Sequence, residues 1–222
     1  MKKLLLLTSM LAITGVANAQ TEYYFSTKLG LGDTTINVDK DNEFSDYIIK
    51  AAERNTGLIG FEYDASGLLW ELSPAVGIDW TINDSGWFHI RLEGELGYNH
   101  YYEDGKLKYN SMVSDKVKVE FNDVFFLVNG YADFRINKIV PYVGLGLGHG
   151  WGKKEMTLSN GLGEFNGSDN DHGALIALHL GVAYKYSDVT TFDFGIRSVD
   201  APTENDGSYI YTSARLGARF RI

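Results

Sequence analysis

Five histidines, at positions 89, 100, 149, 172 and 179, are the residues best suited to acid–base or metal chemistry in this 222-residue chain. A catalytic histidine needs a nucleophile within reach and a carboxylate to orient it. None of the five is followed by x-Ser, so the His-x-Ser pair of a lipid A deacylase is missing. Glycines 144, 146, 148 and 150 suggest a phosphate cradle, but the last position of Gly-x-Gly-x-x-Gly from Gly144 falls on His149, and no Gly-Lys-Ser/Thr occurs. Carboxylates cluster at Asp39, Asp41, Glu43 and Asp46, at Asp169 and Asp171, and at Asp200, Glu204 and Asp206. Their spacing matches no calcium loop of EF-hand type, so they are expected to be solvated loop surface. Cysteine is absent, which removes disulfides and thiolate metal sites. No catalytic residue, cofactor or resident metal is expected.

The richest chemistry is a different pattern, charged residues at every second position. Between Trp87 and His100, His89, Arg91, Glu93, Glu95 and Asn99 alternate with Phe88, Ile90, Leu92, Leu96 and Tyr98. Successive strand side chains point to opposite faces, so such a strand divides a polar from an apolar environment. At the end of the chain Arg215, Arg219 and Arg221 alternate with Ala214, Leu216, Phe220 and Ile222. Asp133 and Arg135 oppose Val128 and Phe134, and Asp193 and Arg197 oppose Phe192, Phe194 and Ile196. The predicted polar network is Arg91, Glu93, Glu95, Asp133, Arg135, Asp193, Arg197, Arg215 and Arg219. Both signs are present, as a closed lumen requires if its charges are to pair.

The pattern recurs eight times, over about 22–34, 69–82, 87–100, 117–136, 141–153, 173–186, 190–199 and 209–222. The connections alternate in length. Residues 83–86, 137–140 and 187–189 are short turns, whereas 35–68, 103–116, 154–172 and 200–208 are long. That alternation predicts an all-β, eight-stranded antiparallel transmembrane barrel of up-and-down type, with both ends on the short-turn side. Phe44, Tyr47, Ile48, Ala51 and Ala52 have helical spacing, and Gly57 to Tyr63 could extend the second strand or add a hairpin, giving ten strands. Closure in lipid leaves no sheet edge, so residues near 23–31 must pair with residues near 212–221.

Three features favour lipid outside over a soluble barrel with an apolar interior. The glycines of the fifth strand lie on its polar face, where a narrow lumen needs small residues. The polar faces balance acid with base. Aromatics gather at strand ends, with Trp80, Trp87, Tyr142, Tyr186 and Phe220 at one rim and Tyr98, Tyr101, Trp151 and Tyr209 at the other.

Met1-Lys2-Lys3, an apolar stretch to Val16 and Ala17-Asn18-Ala19 read as a secretory signal peptide over 1–19, cleaved before Gln20. Residues 20–222 are then the barrel domain. Losing two lysines moves the formal charge from −9 to −11. A surface this acidic argues against nucleic acid.

Gly217-x-x-Phe220-x-Ile222 resembles the C-terminal assembly signal of outer-membrane barrels, although the usual last residue is aromatic. The segments 91–98, 129–134, 141–148, 181–184 and 195–197 resemble strands of the small barrel family that includes opacity-type surface proteins and the barrel of outer-membrane protein A. The resemblance implies the outer membrane, recognition of Gly217, Phe220 and Ile222 by the barrel-assembly machinery, and contact with outer-membrane lipid and lipopolysaccharide. It also implies a structural or surface-interaction role, adhesin-like or antigenic, with host or cell-surface ligands on the loops. The peptidoglycan-binding domain of full-length outer-membrane protein A has no counterpart within the chain. A small channel and, behind it, a lipid A-modifying enzyme are the alternatives.

Overall fold

The computed structural model describes residues 21–37, 61–83, 85–109, 113–160, 163–202 and 208–222. The helical spacing noted at 44–52 lies outside them. The described residues form eight strands, β1 Thr21–Asn37, β2 Phe61–Thr81, β3 Phe88–Tyr109, β4 Val113–Phe134, β5 Ile139–Asn160, β6 Gly163–Lys185, β7 Thr190–Pro202 and β8 Ser208–Arg221. Each pairs antiparallel with the next, and β1 pairs with β8 from Tyr24↔Arg221 to Asn37↔Ser208, closing the ring. Phe61 to Tyr63 belong to β2, so this part of the first long segment extends a strand.

The register fixes the shape. Stepping sideways from Phe25, the partners run Val76, Gly94, Val128, Leu147, Ile176, Asp200 and Ile210 and return to β1 at Thr35. The walk ends ten residues further along β1, a stagger that tilts the strands by roughly 40° to the barrel axis. Sideways neighbours therefore climb toward the far rim in passing from β1 to β8.

The short turns are tight for stated reasons. Gly86 has φ 67° and Asn137 φ 57°, the left-handed region that glycine and asparagine tolerate best. Asn83 Oδ1 accepts from the Phe88 amide at 3.1 Å, and the Ser187 hydroxyl accepts from the Thr190 amide at 3.1 Å.

The other ends differ from the sequence expectation. Segments 103–116 and 154–172 are largely ladder rather than loop. β3 and β4 pair up to Tyr109↔Val113, and β5 and β6 up to Asn160↔Gly163. Strands of 22 and 23 residues far exceed the roughly 9–11 needed to cross a bilayer. On β5 the outward apolar residues Val143, Leu145 and Leu147 give way at His149 and Trp151 to Lys153 and Glu155. The upper halves of β3–β6 thus stand clear of the apolar band as a continuous sheet.

Candidate functional site: the lumen

Alternation sorts the side chains as the backbone pleat requires. Leu92 is 44% exposed on the outer wall, whereas Glu93 beside it is fully buried inside. The outer wall carries Phe25, Leu29, Val76, Leu96, Phe126, Leu145, Leu178, Phe194 and Leu216 among its exposed apolar residues. Monomeric soluble proteins rarely leave such a belt in water, because each exposed Å² of apolar surface costs about 25 cal/mol.

Inside, three layers follow one another along the axis. The layer nearest the short turns is ionic and aromatic. Arg91 Nε donates to Asp133 Oδ2 at 2.8 Å, and Arg219 Nε to Asp193 Oδ2 at 2.8 Å. Arg219 Nη1 also reaches Asp133 at 3.4 Å. The Arg91 guanidinium lies 4.0 Å from the Tyr131 ring centroid and 5.4 Å from that of Tyr142. Tyr142, read from the sequence as part of an aromatic rim, points inward here. Arg135 sits apart at the mouth, 3.4 Å from Asp79 Oδ2 and partly solvated.

The middle layer joins strands that do not touch. Lys28 of β1 pairs closely with Glu93 and lies 3.2 Å from Glu95. Arg197 pairs closely with Glu71 and donates to Glu95 Oε1 at 2.9 Å. Arg215 Nη2 donates to the same Glu95 oxygen at 2.7 Å, and its Nε lies 2.8 Å from Glu71 Oε1. Asn129 donates to Glu95 at 2.9 Å. His179 faces Asn129 Oδ1 at 3.1 Å. Here the sequence reading was incomplete. Lys28 and Glu71 are central members, and Tyr24, Ser73 and Ser213 add hydroxyls to Glu93, Arg215 and Glu71. Lys28 faces inward with Ser26 and Gly30, and between Tyr24 and Gly32 it is the one charge on that face of β1. Glu71 hid in Leu68-Leu69-Trp70-Glu71-Leu72, where alternation is weak.

The third layer is mostly apolar, with Asn99 and Asp123 buried within it. Leu69, Tyr101, Phe125, Leu127, Leu175, Ala177, Val199, Ala201 and Tyr211 pack as one cluster inside the barrel, with Phe125 and Leu127 at 0% exposure. Arg197 roofs the charge layer by lying 4.7 Å from the Phe125 ring centroid. A polar lumen throughout was expected, and this layer departs from it. Tyr101, also placed in a rim by the sequence reading, belongs to this interior. The glycines of β5 serve neighbours rather than distant charges. A Cβ at Gly144 would strike the Tyr131 ring, and one at Gly146 the Asn129 amide.

His89 Nδ1 lies 2.8 Å from Asp79 and Nε2 lies 3.1 Å from the Gly86 carbonyl oxygen. Thr81 Oγ1 also lies 3.4 Å from His89 Nδ1. Among the described residues no group of three potential ligands could hold a metal ion. Gly217 faces inward against Lys28, Phe220 faces outward, and the Ile222 amide donates to the Tyr23 carbonyl at 2.9 Å, so the C-terminal motif seals the β1–β8 seam.

The family model for the outer membrane protein β-barrel domain matches residues 4–221. Among solved structures, the chain is similar to Neisserial surface protein A at 14% identity, with 91% of this chain and 99% of that one covered and a TM-score of 0.46. It is similar to Ail, the attachment invasion locus protein of Yersinia pestis, at 14% identity over 90% and 99%, TM-score 0.44. It is similar to the outer membrane protease OmpT of Escherichia coli at 6% identity over 93% and 97%, TM-score 0.48. No curated protein matches the sequence. With nearly the whole chain matched, the protein belongs to the outer-membrane β-barrel family and resides in the bacterial outer membrane.

Proposed function

We propose that this barrel is a non-catalytic, non-conducting anchor that presents its extracellular β-hairpins for structural or surface-interaction roles of adhesin or antigen type. One observation carries the reading. A buried, mostly apolar layer that also holds Asn99 and Asp123 lies across the lumen above the charge network, so an ion would have to cross both. The ladders of β3–β4 and β5–β6 rise above the apolar belt and supply a presentation surface. The barrel-assembly machinery would read Gly217, Phe220 and Ile222, and outer-membrane lipid and lipopolysaccharide would surround the wall. A host or cell-surface ligand would meet the hairpin tips.

Planar-bilayer recording of the purified, folded protein tests the closed lumen. No steady current is expected, and sustained open channels would overturn the reading in favour of the small-channel alternative. Lipid A profiles by mass spectrometry, with and without expression, are expected to be identical. A shifted profile would assign an enzyme.

A further inference from the structure

The wall closes as one cylinder within its apolar belt and divides above it. β6 pairs with β7 from Lys185↔Thr191 to Ile176↔Asp200 and no further, although β6 begins at Gly163. β1 pairs with β2 as far as Gly32↔Leu69, although β2 begins at Phe61. Beyond those points β2, β3, β4, β5 and β6 continue as one sheet. β7, β8 and β1 continue as another, to Pro202↔Ser208 and Asn37↔Ser208. The β6–β7 split opens where the lipid-facing residues of β6 end, above Ile176, Leu178, Leu180 and Val182. Unpaired backbone is forbidden in lipid, whereas above the belt water satisfies it.

The taller sheet therefore has a free edge. Among the described residues no strand pairs with β6 from Gly163 to Asp171 on the side away from β5. The described residues of this stretch are exposed on both faces, Glu164, Asn166, Ser168 and Asn170 on one and Gly163 and Gly167 on the other. A Cβ at Gly167 would meet nothing within 4 Å. Natural sheet edges are commonly blunted by proline, lysine or a bulge. Residues 163–171 contain neither proline nor lysine, and the β5–β6 register runs unbroken from Ile139↔Tyr184 to Asn160↔Gly163.

Charge selects the occupant. The six lysines of this sheet above the belt, from Lys106 to Lys154, all lie on the inner strands β3, β4 and β5. The two edges, β2 from Phe61 to Leu68 and β6 from Gly163 to Leu175, carry Glu62, Asp64, Glu164, Asp169 and Asp171 and neither lysine nor arginine. In register, Lys154 of β5 stands opposite Asp169, but Glu164 stands opposite Ser159. Asp200 is exposed at the foot of the split. Like charges set opposite one another destabilise a strand pair. Acidic edges therefore oppose pairing with a second copy of this chain and favour a basic strand.

We propose that the β6 edge from Gly163 to Asp171 is a docking site for an extended, lysine- or arginine-rich segment of another protein, bound by strand addition. Backbone N–H and C=O groups of β6 supply the affinity, and the acids of the edge select the cationic partner. This names the partner class for the surface-interaction role proposed above and rests on that reading.

The probe is a short fluorescent peptide of alternating lysine and threonine, titrated into the folded protein in phosphatidylcholine nanodiscs and followed by anisotropy. It should bind about tenfold more tightly than two controls. One has glutamate in place of lysine. The other keeps its lysines but is N-methylated at two adjacent central residues, which removes backbone hydrogen bonds on both strand edges. Hydrogen exchange within 163–171 should slow when the peptide binds. Glu164→Lys/Asp169→Lys/Asp171→Lys should reverse the preference toward the glutamate peptide, with heat-modifiable gel migration unchanged because these positions stand above the belt. Glu164→Lys alone, at an exposed position, should weaken the lysine peptide should the triple variant fold poorly. Equal binding of the N-methylated copy overturns strand addition, because charge alone would then suffice. Slowed exchange confined to 61–68 overturns the choice of β6. Slowed exchange in 163–171 on raising the protein concentration without peptide assigns the edge to a second copy instead. Absence of peptide binding overturns this proposal and leaves the anchor reading intact, whereas a steady bilayer current overturns the anchor reading itself.

Discussion

Glu95 and Arg197 meet 2.9 Å apart although β3 and β7 stand on opposite sides of the ring. Glu95 also receives Lys28 at 3.2 Å and Arg215 at 2.7 Å, so one carboxylate ties β3 to β1, β7 and β8. Hydrogen bonding of the sheet links each strand only to its neighbours. These ion pairs span the diameter, and they hold the cross-section against flattening.

Removing one member of a buried ion pair leaves its partners without compensation, at a cost of about 3–5 kcal/mol. Glu93→Ala and Arg215→Ala should each lower resistance to unfolding in detergent, read as a lower temperature for the heat-modifiable gel shift. Glu95→Ala/Arg197→Ala should cost less than the sum of its single variants, because the two share one interaction. Strict additivity would count against a cooperative network.

Phe125 is completely buried in the luminal apolar layer. Phe125→Ala should destabilise by about 3 kcal/mol through lost contacts and an unfilled cavity. It should also admit brief current events in planar bilayers, where wild type gives none. A silent variant would show that the charge layer seals the lumen unaided.

Gly97 lies directly beneath the Phe125 ring, where any Cβ would clash. Gly97→Val should therefore impair folding, whereas Gly94→Val, whose Cβ would meet only a Phe126 ring atom at 3.9 Å, should be tolerated. Urea-gel folding yields compare the two. Equal yields would contradict the packing of β4 over β3.

Phe220 lies on the outer wall beside the β1–β8 seam, opposite Phe25. Phe220→Ala should slow assembly in cells more than it slows folding into detergent, and Ile222→Phe should speed it, if the assembly machinery reads these positions. Pulse-chase appearance of the heat-modifiable form measures both.

The mature protein should begin at Gln20, which intact mass determination of outer-membrane material would reveal. A mass that includes Met1 to Ala19 would refute the cleavage.

Much of this architecture was legible because the pleat writes burial into sequence with period two. Arg91, Glu93 and Glu95 stand out only because Ile90, Leu92 and Leu96 separate them. The signal fails where both faces are apolar. Phe125-Phe126-Leu127-Val128 reads as one hydrophobic run, and nothing local says that Phe125 and Leu127 point inward while Phe126 and Val128 meet lipid. Glu103-Asp104-Gly105-Lys106 fails in the opposite way, since charge on both faces reads as loop. Its pairing with 116–119 emerges only from the continuous register below it. Pairing across the lumen was invisible too, because which cation meets Glu95 depends on stagger and diameter, which no single strand encodes.

The unbroken ladder of β3 to β6 has a mechanical consequence. About eight residues of β5 beyond Gly152, at a tilt near 40°, lift the hairpin tips roughly 20 Å above the bilayer. Within the described ladder no break interrupts the backbone bonding between tip and wall. A partner pulling on such a mast would strain the whole cylinder rather than bend a joint, so a load applied at the hairpin tips is passed through the sheet to the short turns at the other rim.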